Sequence, residues 1–171
     1  MKNKLGKVIC NSSPFIGLAI LNIVHVLWDI FDEVIVPTAV FTEITKNGRN
    51  HIGKIELEGA ISEGKIHIYS VKDELFVNRF LGKLHRGELE VISAAKELDA
   101  QYLLLDDKAA RTLAETLLLE PSGLIGLLKI LKLTNKIDSI KPYLDKLIEN
   151  GYWISKKLYN ELLKDVGENT D

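Results

Sequence analysis

Five oxygen-bearing side chains sit beside apolar runs in this 171-residue sequence: Asn11 in VICNSSP, Glu43 in VPTAVFTEI, Glu88 in RGELEVISAA, and Asp106 with Asp107 in YLLLDDKAAR. Scattered carboxylates brought to the mouth of a sheet repel one another. Two of them about 4 Å apart cost ~4 kcal/mol at an effective dielectric of ~20, so the cluster must either hold a proton or bind a cation. An all-oxygen set without histidine or cysteine selects Mg²⁺ or Mn²⁺ over zinc. Such an ion can orient and activate water for in-line attack on a phosphodiester, which makes metal-dependent hydrolysis of a nucleic-acid backbone the chemistry to expect.

The elements that must position these groups are legible in the apolar pattern. Val8 to Cys10, Val34 to Val36, Ile66 to Tyr69 and Tyr102 to Leu105 are short apolar runs bounded by polar or turn residues, as strands buried on both faces should be. Helical patterns fill the gaps. Pro14 and Pro37 read as first-turn prolines, and Ser13 reads as a helix cap. The alternation predicts an α/β fold, a three-layer sandwich with a mostly parallel central sheet flanked by helices. Ligands of open parallel sheets gather outside the carboxyl ends of the strands, where Asn11 and Asp106 each follow an apolar run. On a helix starting at Glu88, residues Val91, Ile92, Ala95 and Leu98 lie within about 80° of it, with Glu90, Ser93 and Glu97 opposite. Glu88 is therefore predicted to point inward and Glu90 outward. An inward acid in a first turn is either a cap for free amides or a metal ligand. Glu43 lies at the border of the face made by Val40, Phe41 and Ile44.

From Ser122 onward the pattern is helical: GLIGLLKILKL, IKPYLDKLIENG and ISKKLYNELLKD, with Gly151 closing one helix, Ser155 capping the next and a frayed tail, GENTD. We expect one domain over residues 1–171, with 138–165 a C-terminal helical extension. A net charge of -2 excludes overall basicity, so nucleic-acid contact must come from a local patch. Lys83, Arg86, Lys108 and Arg111 flank the two late acidic motifs and could contact phosphates, or form an ordinary solvated pattern. The lone Cys10 fits a small core residue in a reducing compartment. Lys2, Lys4 and Lys7 before Phe15 to Leu27 imitate an export signal, but Asn11 to Pro14, Asn22 and His25 interrupt it. The stretch is also shorter than the ~20 residues of a membrane span. The expectation is a soluble, cytoplasmic protein. His25, His51, His67 and His85 lack metal-ligand spacing and read as surface or packing residues; Trp28 and Trp153 read as core or interface aromatics.

Taken in order, ICNSSPFIGLA, PTAVFTEI, GELEVISAA, LLLDDKAAR and GYWISKKLYNELL resemble a PIN domain, the nuclease fold of the VapC-type toxins, and a subgroup of it that begins with an N-S-S-P segment. The resemblance implies a ribonuclease with Glu43, Glu88 and Asp106 as catalytic metal ligands and Asn11 completing the site. Asp107 is the alternative to Asp106 if the strand register slips by one. It also implies Mg²⁺ or Mn²⁺ as cofactor, RNA as substrate, a homodimer, and a small antitoxin that blocks the acids. Most family members carry aspartate where this chain has Asn11, and many have Ser or Thr shortly before the fourth acid, where Leu103, Leu104 and Leu105 stand. Ser12 or Ser13 resembles the hydroxyl residue that supports the first ligand. Three carboxylates and one amide give about -3, enough for one tightly held ion in the free protein. A non-catalytic RNA-binding or interaction protein with a weakened metal site is the alternative. A phosphoacceptor using Asp106 or Asp107 is the third class.

Overall fold

A computed structural model describes residues 4–47 and 51–169. The chain divides into two compact units, Met1–Gly123 and Leu124–Asp171.

The first unit is built on a five-stranded, wholly parallel sheet of order β3-β2-β1-β4-β5. Its strands are β1 (Leu5–Cys10), β2 (Phe31–Pro37), β3 (His67–Tyr69), β4 (Tyr102–Leu104) and β5 (Pro121–Ser122). Ile9 pairs with Ile35 on one side and Leu103 on the other, so β1 lies at the centre. Val8, Ile9 and Cys10 are fully buried, as a strand covered on both faces requires. The chain winds one way from β1 through β2 to β3, then crosses back to β4 and β5. That reversal puts a topological switch point between the carboxyl ends of β1 and β4. Flanking helices are α1 (Ser12–Ile20), α2 (Val26–Ile30), α3 (Thr38–Thr42), α4 (Lys54–Ser62), α5 (Glu74–Phe80), α6 (Arg86–Glu97) and α7 (Lys108–Thr116). A π-helical turn, Glu43–Asn47, continues α3 directly.

Three local expectations need correction. Ser13 lies inside α1, the cap position is Asn11, and the Ser13 hydroxyl is committed to an acid instead. Pro37 ends β2 and precedes α3, rather than opening the helix. Glu90 and Ser93 are not solvent-facing, for each is only 3% exposed. The reason is that α6 packs on β1, β2 and β4 while α3, α5 and α7 cover its other sides. Its polar face is accordingly satisfied internally. Glu90 accepts hydrogen bonds from Ala39 and Arg86, and Glu97 accepts from Ser93, the Tyr69 hydroxyl and the backbone N–H groups of Lys72 and Asp73.

The second unit comprises α8 (Leu124–Leu133), α9 (Lys141–Glu149) and α10 (Lys156–Asp165), matching the three helical patterns. Gly151, at φ 89°, takes the left-handed conformation that ends α9, and the Ser155 hydroxyl accepts the Leu158 N–H at 3.1 Å to cap α10. The tail is more ordered than expected at Glu168. Its carboxylate accepts the Ser139 hydroxyl at 2.6 Å and the amides of Ile140 and Lys141 at 2.7 and 3.2 Å, capping the start of α9. Residues 170 and 171 of that tail lie outside the described residues. Trp153 is 87% exposed, so it is not a core aromatic. Among the described residues no helix is long and apolar enough to cross a membrane.

Candidate active site

The segment Asn11-Ser12-Ser13 leaves the carboxyl end of β1 at the switch point, and its three side chains reach three different places. The Ser12 hydroxyl donates to Glu43 Oε2 at 2.7 Å. The Ser13 hydroxyl donates to Asp106 Oδ2 at 3.0 Å. Two consecutive serines thus hold carboxylates delivered by two separate elements. Asn11 itself is 5% exposed, and its Oδ1 has no hydrogen-bond partner among the described residues. A buried carbonyl oxygen left unpaired is costly unless something else supplies a positive partner.

Glu43 opens the π-helical turn, which widens the helix at that point and sets its side chain off the α-helical register of α3. Its carboxylate rests against Gly87, where a Cβ would run into the glutamate oxygens. Asp106 makes the matching approach to Gly123, where a Cβ would lie 2.8 Å from Oδ1. Both glycines therefore serve as clearance for an acid. The sequence reasoning missed them, although a glycine immediately before Glu88 and another after β5 were the available signal.

Glu88 is 9% exposed, in the first turn of α6, and its Oε2 accepts the His85 backbone N–H at 3.0 Å. Burial raises its pKa above the usual carboxylate range; the negative charges of Asp107 and Glu43 add to that effect, and the His85 N–H opposes it. The inward expectation for Glu88 holds, and the cap contact exists alongside it. Asp107 acts as the N-cap of α7, with Oδ1 accepting the Ala110 N–H at 2.8 Å. Burial and the neighbouring Asp106 charge push the Cys10 thiol far up, which suits an inert core residue.

Asn11, Glu43, Glu88 and Asp106 thus converge on one edge of the sheet, with Asp107 beside them. They do not close into a finished cage: among the described residues, no three Asp, Glu, His or Cys side chains are set to hold a metal ion. The chemistry of the donors nevertheless fits a hard divalent cation. All are oxygens, one is a buried carbonyl without a hydrogen-bond partner among the described residues, and the charges of Asp107 and Glu43 bear on Glu88.

Two cavities flank the acids. One of about 420 Å³ is lined in part by Thr38, Glu43, Ser70, Glu74, Arg86 and Glu90. The other, about 350 Å³, includes Lys83, His85, Arg86, Glu88 and Asp107. Of the four basic residues expected to face phosphate, Arg86 is already engaged, by Glu74 at 2.7 Å and Glu90 at 2.8 Å. Lys83, Lys108 and Arg111 are exposed. His25, His51, His67 and His85 are exposed as well.

A parallel α/β sheet with acids gathered at its switch point belongs to the open-sheet folds, which bind their ligands at that edge. The family model described as PIN domain, DUF3368, matches residues 7–168, and the chain belongs to that family. PIN domains carry a nuclease-type function in general, bind RNA and depend on divalent metals. No curated protein matches the chain.

Proposed function

We propose that the protein is a metal-dependent endoribonuclease, with Asn11, Glu43, Glu88 and Asp106 as the residues that would hold one Mg²⁺ or Mn²⁺. The observation that carries this reading is the serine pair, which holds Glu43 and Asp106 from the two positions that directly follow Asn11, whose own oxygen is buried without a hydrogen-bond partner among the described residues. When bound, a divalent cation supplies Lewis acidity toward a phosphate oxygen and toward water. The chain's own residues do the rest. Ser12 and Ser13 each commit one oxygen of an acid and so orient the other; Glu88 is oriented by the His85 N–H. Asp107, occupied as a cap, contributes charge and serves as the alternative ligand to Asp106. Lys83, Lys108 and Arg111 are the cations available to the RNA backbone.

The resemblance to VapC-type toxins supports a role as the toxin of a toxin-antitoxin pair, acting in the cytoplasm as a homodimer and silenced by a small protein over the acids. The reading treats residues 1–171 as one PIN-like domain, with 138–165 its extension. The amide at Asn11 favours a second reading, a PIN-like RNA-binding or interaction protein whose metal site has weakened, because an amide brings no charge to the ion.

Cleavage of labelled RNA, with and without Mn²⁺, separates the two. Cleavage that requires Mn²⁺ and is lost in Asp106→Asn and Glu88→Gln supports the nuclease. RNA binding with neither cleavage nor Mn²⁺ binding at roughly tens of millimolar, weaker than the roughly millimolar limit of working hard-cation sites, supports the second reading.

A further inference from the structure

Glu90 lies outside the acid set, yet it is more deeply buried than Glu88. Its two oxygens face different elements. Oε2 accepts the backbone N–H of Ala39, in α3, at 2.8 Å. Oε1 accepts Arg86 Nε at 2.8 Å, and Arg86 Nη2 meets both oxygens of Glu74 at 2.7 and 2.8 Å. Helix α6 carries Glu88 two residues before Glu90, and Ala39 stands four residues before Glu43. One hydrogen bond therefore ties the helix of one proposed ligand to the chain one turn ahead of another.

Burial alone gives no reason for a charge at this position. Packed apolar side chains in place of a buried ion pair are often neutral or stabilising, whereas a hydrogen-bonded charge admits one arrangement of its partners. Helix α3 has five residues, too few to be held by its own ladder, and it runs straight into the π-helical turn that begins with Glu43. An apolar contact would keep α3 on α6 while leaving it free to slide or rotate. A bond to a single N–H does not leave that freedom. The contact of the Glu43 carboxylate with Gly87 depends on the same register between the two helices.

We infer that Glu90 is a positioning residue: by anchoring the Ala39 N–H from α6, it fixes where Glu43 stands relative to Glu88. Glu74 and Arg86 restrain Glu90 from the opposite side. The inference rests on the nuclease reading of the same site, and groups that orient metal ligands from behind are worth about 10–100-fold in affinity or activity.

The test compares the parent chain with Glu90→Leu and Glu90→Gln by Mn²⁺ titration, steady-state RNA cleavage, thermal unfolding and amide hydrogen exchange. Glu90→Leu should weaken Mn²⁺ binding and lower kcat, each by about 10–100-fold, with KM for RNA little changed, when measured well below its thermal midpoint, which the loss of the acceptor for Ala39 and Arg86 lowers. Glu90→Gln keeps an acceptor for Ala39 and should recover most of both losses. Retained Mn²⁺ affinity and kcat in Glu90→Leu would overturn the inference, as would losses that only track a smaller folded fraction. A parent that neither binds Mn²⁺ nor cleaves RNA fails the nuclease reading instead. The anchoring is then judged from exchange alone. Faster exchange confined to α3 and the π-helical turn in Glu90→Leu, with α9 unchanged, upholds it; an unchanged pattern overturns it.

Discussion

Asn11 carries the clearest single-residue test, because its oxygen is buried without a hydrogen-bond partner among the described residues and the two serines that follow it hold acids. A carboxylate there would add charge for a cation to neutralise and, without the cation, would add to the repulsion. Asn11→Asp should therefore bind Mn²⁺ more tightly, by on the order of tenfold, while its metal-free form melts at a lower temperature than the parent. Titration and thermal unfolding check the pair, and unchanged affinity would show that Asn11 is not a ligand. Glu88 gives a prediction in pH. Its carboxyl is raised above the usual range by burial and by Asp107 and Glu43, so the native state keeps that proton longer than the unfolded chain as pH rises. Its contribution to stability is present below the ordinary carboxylate pKa and is lost as pH climbs through the raised native value. Metal-free Glu88→Gln should thus be more stable than the parent at neutral pH, with the gap closing below about pH 4; a gap that widens on acidification would contradict the assignment. Glu88 was legible because helical angle alone separates an inward from an outward side chain. The same rule misplaced Glu90, since it supposes that the face opposite the sheet is open to solvent, and α3, α5 and α7 pack on α6 there.

Among the elements, α6 and the π-helical turn meet where Gly87 makes room for the Glu43 carboxylate. The obstructed group is the end of a flexible side chain, so a methyl group at Gly87 should displace the acid at little cost to the fold. Gly87→Ala is expected to melt near the parent and to lose about 10²-fold in cleavage rate, the scale of a 1 Å misplacement. Equal rates would mean that Glu43 reaches its working position by another path. At the other end of the chain, Glu168 caps α9. Burial opposes its ionisation, but the hydrogen bonds from Ser139, Ile140 and Lys141 prevail, with Lys132 helping, and hold its carboxyl below the usual range. That stabilisation is present above the ordinary carboxylate pKa and is lost as pH falls through the lowered native value. Glu168→Ala should cost about 1–2 kcal/mol at neutral pH, the worth of a helix cap, measured by denaturant unfolding. The strands β1 to β4 and the helices α8 to α10 were visible in sequence because apolar runs and helical periods are long enough to count. The two-residue β5 leaves no period to read, and it sits at the sheet edge, where Pro121 is tolerated. The tail cap was invisible for another reason: Glu168 and Ser139 are 29 residues apart, and spacing along the chain carries no trace of that bond.

For the molecule as a whole, the order of motifs was more informative than any one of them, and the family match over residues 7–168 spans the same ordered set. Composition set a different constraint. With a net charge of -2, the protein has no general attraction for RNA, and its proposed site adds acids where phosphates must come. Binding must then depend on a few local cations. Arg86 is held by Glu74 and Glu90, which leaves Lys83, Lys108 and Arg111 of the four basic residues flanking the acids. Each phosphate neutralised on a single strand lowers the logarithm of affinity by about 0.7 per decade of salt, so three cations give a slope of about -2. The measurement is RNA affinity over a range of KCl with the divalent cation held constant. Lys108→Ala should weaken binding similarly for unrelated sequences and make the slope shallower by about 0.7. Arg86→Ala should leave the slope where it was, because its charge is spent on two glutamates. A parent slope steeper than about -4 would require more backbone contacts than these three residues can supply. The RNA would then lie along another face of the protein, away from the acids, and the nuclease reading would lose its substrate path.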